Sequence, residues 1–173
     1  TVDSFLHQFP QSPNQDYAVY MAGLTNAATG DNFIQDFFGI DRATRETTSM
    51  RTAFSNFQNL VRVFPNSPYA QDALARMAYI KDALARHELD IAKFYAKRDA
   101  WVAVSNRVVG MLKQYPDAKA TYEGLSLMKE AYEKMGLTAL ANDTQKIIDA
   151  NKDKTFAPIE KPNEPDLKVP AVK

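Results

Sequence analysis

There is no cysteine in this 173-residue chain. That excludes a disulfide scaffold, thiolate zinc sites, iron–sulfur clusters and a cysteine nucleophile, and it leaves the redox compartment open. An excess of either charge is also missing, since 21 Lys+Arg balance 21 Asp+Glu. A nucleic-acid partner would call for a basic face, so none is expected. No apolar run approaches the roughly 20 residues of a membrane span. There is no Gly-rich phosphate loop, Gly-x-Ser-x-Gly elbow or kinase motif set. The two His give metal chemistry little to work with. His87-Glu88-Leu89-Asp90-Ile91 opens like a zincin helix, but Ile91 stands where the second His is needed, and His7 has no partner in view. The carboxylate pairs Glu88/Asp90 and Glu130/Glu133 read as solvated helix charges. No catalytic set, metal site or cofactor is therefore expected.

What is present is ordinary globular usage, 45% hydrophobic and 24% charged, long enough for one domain or a short array. The most informative feature is a repeated break. Phe9-Pro10-Gln11-Ser12-Pro13 recurs as Phe64-Pro65-Asn66-Ser67-Pro68, with a weaker copy at Tyr115-Pro116-Asp117-Ala118. An aromatic closes one helix, Pro prevents its continuation, and Ser caps the next helix with Pro at its first position.

The intervening segments carry helical period. Tyr17, Tyr20, Met21, Leu24 and Ala28 form one stripe, and Ala53, Phe54, Phe57, Leu60, Val61 and Phe64 a second. Trp101, Val104, Val108, Met111, Leu112 and Tyr115 form a third; Tyr122, Leu125, Met128, Tyr132 and Met135 a fourth; Leu137, Ala141, Thr144 and Ile148 a fifth. Between Tyr69 and Tyr95 there is no Gly or Pro, which predicts one helix of about 27 residues and about 40 Å that serves two successive units. Lys97-Arg98-Asp99 and Gly136 mark breaks. Residues 30–50 read as an ordered insertion with one helical turn, after which Thr47, Thr48 or Ser49 caps the next helix. Val2, Phe5, Leu6 and Phe9 form a helix face with no preceding partner. Together with a first residue that is Thr, this suggests a processed or truncated piece.

Breaks of this kind point to tetratricopeptide (TPR) repeats, helix pairs of about 34 residues. The expected fold is all-α, a solenoid of stacked antiparallel helix pairs. It would span residues 1–151, followed by a Pro-rich, disordered tail over 152–173. Ile91-Ala92 and Tyr95 fit the first helix of a unit, and Val104, Val108 and Met111-Leu112 the second. The breaks lie 55 and 51 residues apart; the insertion and the elongated helix account for the excess over one repeat.

Three strings go beyond the generic repeat: Asp16-Tyr17-Ala18-Val19-Tyr20-Met21-Ala22-Gly23-Leu24-Thr25, Phe37-Phe38-Gly39-Ile40-Asp41-Arg42, and Ala100-Trp101-Val102-Ala103-Val104-Ser105-Asn106-Arg107. With Phe64-Pro65-Asn66-Ser67, they resemble the BamD family of outer-membrane assembly lipoproteins over about residues 1–150. The resemblance implies five TPR units on the periplasmic face of the outer membrane, held by a lipidated N-terminal Cys that this sequence lacks. The chain would then be the C-terminal portion, roughly units three to five. In the family, the N-terminal units receive unfolded outer-membrane protein substrates. The C-terminal units dock the last POTRA domain of BamA and help hold the accessory lipoproteins BamC and BamE.

By that resemblance Arg107 matches the family's BamA-facing arginine, and a guanidinium suits an interface carboxylate. Arg98 and Trp101 are the next expected BamA contacts. Phe37, Phe38, Gly39, Asp41 and Arg42 are the expected contact for an extended BamC segment. The plainer readings stay open: Trp101 as core, Phe37 and Phe38 as packing, Arg107 as an intra-repeat salt bridge. A non-enzymatic scaffold of β-barrel assembly is the leading expectation. A TPR module of another cell-envelope system is the alternative.

Overall fold

The second and third Pro-marked breaks are short turns between helices in the computed structural model, which describes residues 4, 5, 8, 9, 12–30 and 40–164, without the side chains of 40–46. The helices among the described residues are α1 (Gln15–Gly30), α2 (Ile40–Val63), α3 (Ala70–Ala96), α4 (Trp101–Gln114), α5 (Lys119–Lys134) and α6 (Thr138–Ala150). No strand occurs among them. This is the all-α, TPR-like repeat that the sequence predicts.

The second break works through Phe64 and Ser67. Phe64 N–H donates to Leu60 O at 2.8 Å, and Ser67 N–H donates to Phe64 O at 3.0 Å. Ser67 Oγ accepts from Tyr69 N–H at 3.3 Å, as Ser12 Oγ accepts from Asn14 N–H at 3.3 Å in the first break. Pro13, Pro65 and Pro68 stand in the turns, and helix begins two residues after the last of each, at Gln15 and Ala70. The third break has no Ser; there Thr121 Oγ1 donates to Tyr115 O at 2.7 Å and satisfies a carbonyl at the end of α4.

One expectation changes. No new helix is capped at Thr47, Thr48 or Ser49, because α2 already runs from Ile40. The run Ala43-Thr44-Arg45-Glu46 contains no breaker, and Thr52 Oγ1 donates to Thr48 O at 3.0 Å inside the helix. The long helix, by contrast, has its predicted 27 residues, shifted by one.

Two compact units divide within α3, between Ile80 and Lys81. In unit 1 (Thr1–Ile80 with Glu160–Lys173), α1 packs on α2. Gly23 makes this possible: a Cβ there would lie 2.7 Å from Phe57 Cδ1. Phe57 is fully buried and lies 6.0 Å from the Tyr20 ring, which stacks on Tyr69 at 4.8 Å. Ser67 Oγ also donates to Asp16 Oδ2 at 2.7 Å, so the second break is tied to the first turn of α1.

In unit 2 (Lys81–Ile159), α5 packs on α4 and on α6. Its centre is Ala92, Val108, Leu125 and Met128, with Leu112, Tyr122, Tyr132 and Ile148 against the outside. Val104, Val108 and Met111 are fully buried, as the third stripe predicts. Residues 154–159 form neither helix nor strand; Phe156 packs 5.0 Å from the Tyr122 ring, and Lys154 Nζ donates to Tyr122 Oη.

Candidate partner-docking site

The turn from α3 to α4 carries two of the expected contact residues. Helix α3 ends because Asp99 adopts φ 54°, a left-handed conformation that Asp tolerates better than most residues. Ala100 N–H reaches back to Tyr95 O at 3.1 Å, and Asp99 N–H to Ala96 O at 3.1 Å, the hydrogen bonds of a Schellman ending. This geometry projects Arg98. Its Nη1 donates to Phe94 O at 3.2 Å, and its guanidinium carbon lies 3.5 Å above the Phe94 ring. Phe94 and Val102 on either side of the turn are exposed. Trp101 opens α4 half-buried, with Lys134 Nζ 5.8 Å from its ring, at the outer limit of a cation–π contact.

Arg107 lies elsewhere on the same helix. Six residues separate it from Trp101, which places the two about 9 Å apart along the axis and about 120° apart around it. Arg107 Nη1 donates to Glu88 Oε2 on α3 at 2.9 Å. The Arg107 side chain is 41% exposed and that of Glu88 17%. A pair of this exposure contributes about 0–1 kcal/mol, so Arg107 is presented at the surface rather than locked in a core. A groove of about 210 Å³ runs beside it, lined by Glu88, Asn106, Arg107, Gly110, Gln114 and Tyr115. Gly110 keeps it open, since a Cβ there would meet nothing within 4 Å.

The structure thus brings Arg98 and Trp101 into one turn and sets Arg107 on a second face with Glu88. Glu88 is a correction, because it is not a solvated carboxylate. Its partner stands 19 positions away, and only the packing of α3 on α4 reveals the pair. The sequence reading likewise did not single out Lys134, Phe94 or Val102 as neighbours of the turn. Phe37, Phe38 and Gly39, the expected contact for an extended segment, lie outside the described residues. Asp41 and Arg42, read as loop, fall in the first turn of α2; their side chains lie outside the described residues. Among the described residues no group of three or more His, Asp or Glu could hold a metal, and no helix is long and apolar enough to cross a membrane.

Comparison with known proteins gives a consistent set. Residues 1–147 match a family described as an outer membrane lipoprotein (YfiO). A protein of Haemophilus influenzae named outer membrane protein assembly factor BamD is 95% identical over 172 residues, which is 99% of this chain and 66% of that protein. Proteins of the same name from Pasteurella multocida and Vibrio cholerae are 72% identical over 164 residues and 39% identical over 151. These alignments cover 95% and 87% of this chain, and 63% of each relative. The chain therefore spans just under two thirds of the length of the curated relatives it matches.

Proposed function

The chain belongs to the outer membrane lipoprotein family of BamD, and from that premise we propose that it is a non-enzymatic scaffold in the assembly of outer-membrane β-barrel proteins. The observation that carries the reading is the 95% identity, over almost the whole chain, to a protein named as an outer membrane protein assembly factor. Its place would be the periplasmic face of the outer membrane, held there by a lipid anchor outside this sequence. Its main partner would be the POTRA region of BamA, with BamC and BamE as further partners.

In mechanism, each stacked helix pair presents side chains at fixed spacing. Arg107 would meet a partner carboxylate. It pairs with Glu88 at 2.9 Å through Nη1 and stands beside an open groove. The aromatic and cationic turn of Phe94, Arg98, Trp101 and Val102 would supply the apolar anchor, a composition enriched at interaction hot spots. Phe37, Phe38, Gly39, Asp41 and Arg42 would receive an extended segment of BamC. Unfolded outer-membrane protein substrates would be met mainly by repeats outside this chain.

Calorimetric titration of the chain with the cognate BamA POTRA region tests the reading. Saturable binding is expected, weakened at least tenfold by Arg107→Glu. That change also places two carboxylates together, so a double variant, Arg107→Glu with Glu88→Arg, restores the internal pair in reverse. If Arg107 docks directly, the double variant stays weak. Recovery of binding would show instead that Arg107 acts by shaping unit 2, and no binding by the folded wild-type chain would overturn the scaffold reading.

A further inference from the structure

Unit 1 holds a groove of about 470 Å³ that the docking role above does not use. Its walls are apolar: Met21, Leu24 and Ala28 from α1, Met50 from α2 and Ile80 from α3. One cation, Arg76 of α3, is built into them, and its position is fixed from behind. Arg76 Nε donates to Asp72 Oδ2 at 2.5 Å, and Tyr20 Oη donates to the same oxygen at 2.5 Å. The Arg76 side chain is only 12% exposed. Its Nη2 donates to Asp72 Oδ1 at 3.4 Å and to the backbone carbonyl of Asn163 at 2.8 Å. The rest of the lining is Lys161, Pro162, Asn163 and Glu164, a stretch with no helix or strand.

Residues 161–164 therefore close one side of the groove, and the way they do so is informative. The contact to Arg76 is made by a main-chain oxygen, so it reads an extended backbone and not a particular side chain. Pro162 is half-buried against the apolar wall; it favours extended chain and brings no N–H that would need a partner there. An oriented guanidinium over an apolar trough is preorganised for such a segment. We propose that this groove is a docking site for an extended, proline-bearing peptide, with Arg76 as the donor to a backbone carbonyl, and that residues 161–164 occupy its open side in cis. A tethered segment acts at an effective concentration on the order of millimolar, so an incoming segment must displace it. The inference is independent of the partner assigned to Arg107, because it concerns the other unit.

The test is methyl NMR on four forms of the protein: the intact chain, a chain ending at Glu164, a chain ending at Ile159, and the intact chain with Arg76→Gln. The methyls of Met21, Leu24, Met50 and Ile80 report the groove, and those of Val104 and Val108 report unit 2. The Glu164 form should match the intact chain. The Ile159 form should shift the groove methyls and leave the unit 2 methyls in place. Titrating the peptide Ala157–Glu164 to 5 mM into the Ile159 form should return the groove methyls toward their intact positions, and the same titration with Arg76→Gln added should recover less than a third of that movement. Arg76→Gln in the intact chain should by itself move the Ile80 methyl. That measurement decides the matter if the shortened chain fails to fold. Groove methyls that are indifferent to both the truncation and Arg76→Gln would overturn the occupancy in cis. Groove methyls unmoved by 5 mM peptide would overturn the docking site.

Discussion

Unit 1 holds Tyr20 between the rings of Phe57 and Tyr69, notches α1 with Gly23 and closes the cluster with the Tyr20–Asp72–Arg76 hydrogen bonds. Unit 2 centres on Ala92, Val108, Leu125 and Met128 and leaves Phe94, Val102, Leu137, Leu140 and Ile147 exposed. Both are built from packed antiparallel helices, yet they resolve the same packing problem differently. Rings and a half-buried carboxylate fix geometry through shape and directed hydrogen bonds, and they tolerate little change. Aliphatic side chains at the centre of unit 2 fill space with few directional demands. The proposed POTRA-docking residues lie in unit 2, whereas the unit 1 groove is held by its own network.

The largest effect that separates the units is one of pH. Burial, then the hydrogen bond to Asp72, pushes the Tyr20 phenol up to about 12, against the opposing pull of Arg76. A phenol whose pKa is raised on folding stays protonated longer in the folded chain than in the unfolded one. Its contribution is complete below pH 10 and is lost as the pH climbs through 12. Unit 1 should lose about 2 kcal/mol between pH 9 and pH 11.5 from this group alone. Tyr69, raised by its own burial and by Asp16, acts in the same direction. Urea unfolding followed by hydrogen exchange in each unit checks this, with Tyr20→Phe as the control. The variant should flatten the alkaline slope in unit 1 by that amount and leave the slope of unit 2 unchanged. An equal slope in both variants would remove Tyr20 as the cause.

A single substitution made once in each unit sharpens the contrast further. Gly23→Ala drives a methyl to 2.7 Å from Cδ1 of the buried Phe57 ring, and a ring cannot yield by bending. Overpacking of about 1–3 kcal/mol should outweigh the helix-propensity gain of about 1 kcal/mol, for a net loss of up to about 2 kcal/mol. Gly124→Ala meets Val108 Cγ1 at 3.3 Å and Leu89 Cδ1 at 3.7 Å. These are methyl ends that need move only slightly, so the propensity term should win and stability should rise by up to about 1 kcal/mol. Thermal denaturation of both variants reads the signs. Two losses of equal size would mean that the unit 2 core is as rigid as the aromatic one.

Much of this architecture is legible along the chain because it is written in local periods and breaks. The Phe-Pro-x-Ser-Pro pentapeptides locate two turns to within two residues. The absence of Gly and Pro from Tyr69 to Tyr95 gives α3 its length, and the spacing of Val104, Val108 and Met111 gives α4 its buried face. What is not legible depends on which helix lies opposite. Gly23 is an ordinary helical glycine until Phe57 is placed on it. Glu88 looks solvated until α4 brings Arg107 to it, and Arg76 looks like a surface cation until Asn163, 87 positions away, accepts from it. The start of α2 was missed for a local reason: Thr47, Thr48 and Ser49 are good caps, but nothing before them stops a helix already under way.

The smallest expected effect falls on the turn that carries Arg98 and Trp101. Unit 2 turns its chain twice through left-handed backbone, at Gly136 with φ 72° and at Asp99 with φ 54°. Glycine adopts this conformation without strain, whereas a residue with a Cβ pays about 1 kcal/mol, less for Asp than for most. Asp99 also brings a negative charge to the start of α4, worth about 0.3–1 kcal/mol beside the helix dipole. Asp99→Gly should relieve the strain and lose the charge, leaving stability almost unchanged. Asp99→Asn keeps the tolerance for left-handed backbone and loses only the charge, so it should be the less stable of the two by up to about 1 kcal/mol. Trp101 is the only tryptophan, so its fluorescence during urea unfolding reads unit 2 directly. If Asn matches Gly, the left-handed turn carries no strain, and the position of Arg98 and Trp101 rests on the Schellman hydrogen bonds alone. In either case POTRA binding should hold within about twofold, because a well-made turn presents the same side chains with or without that carboxylate.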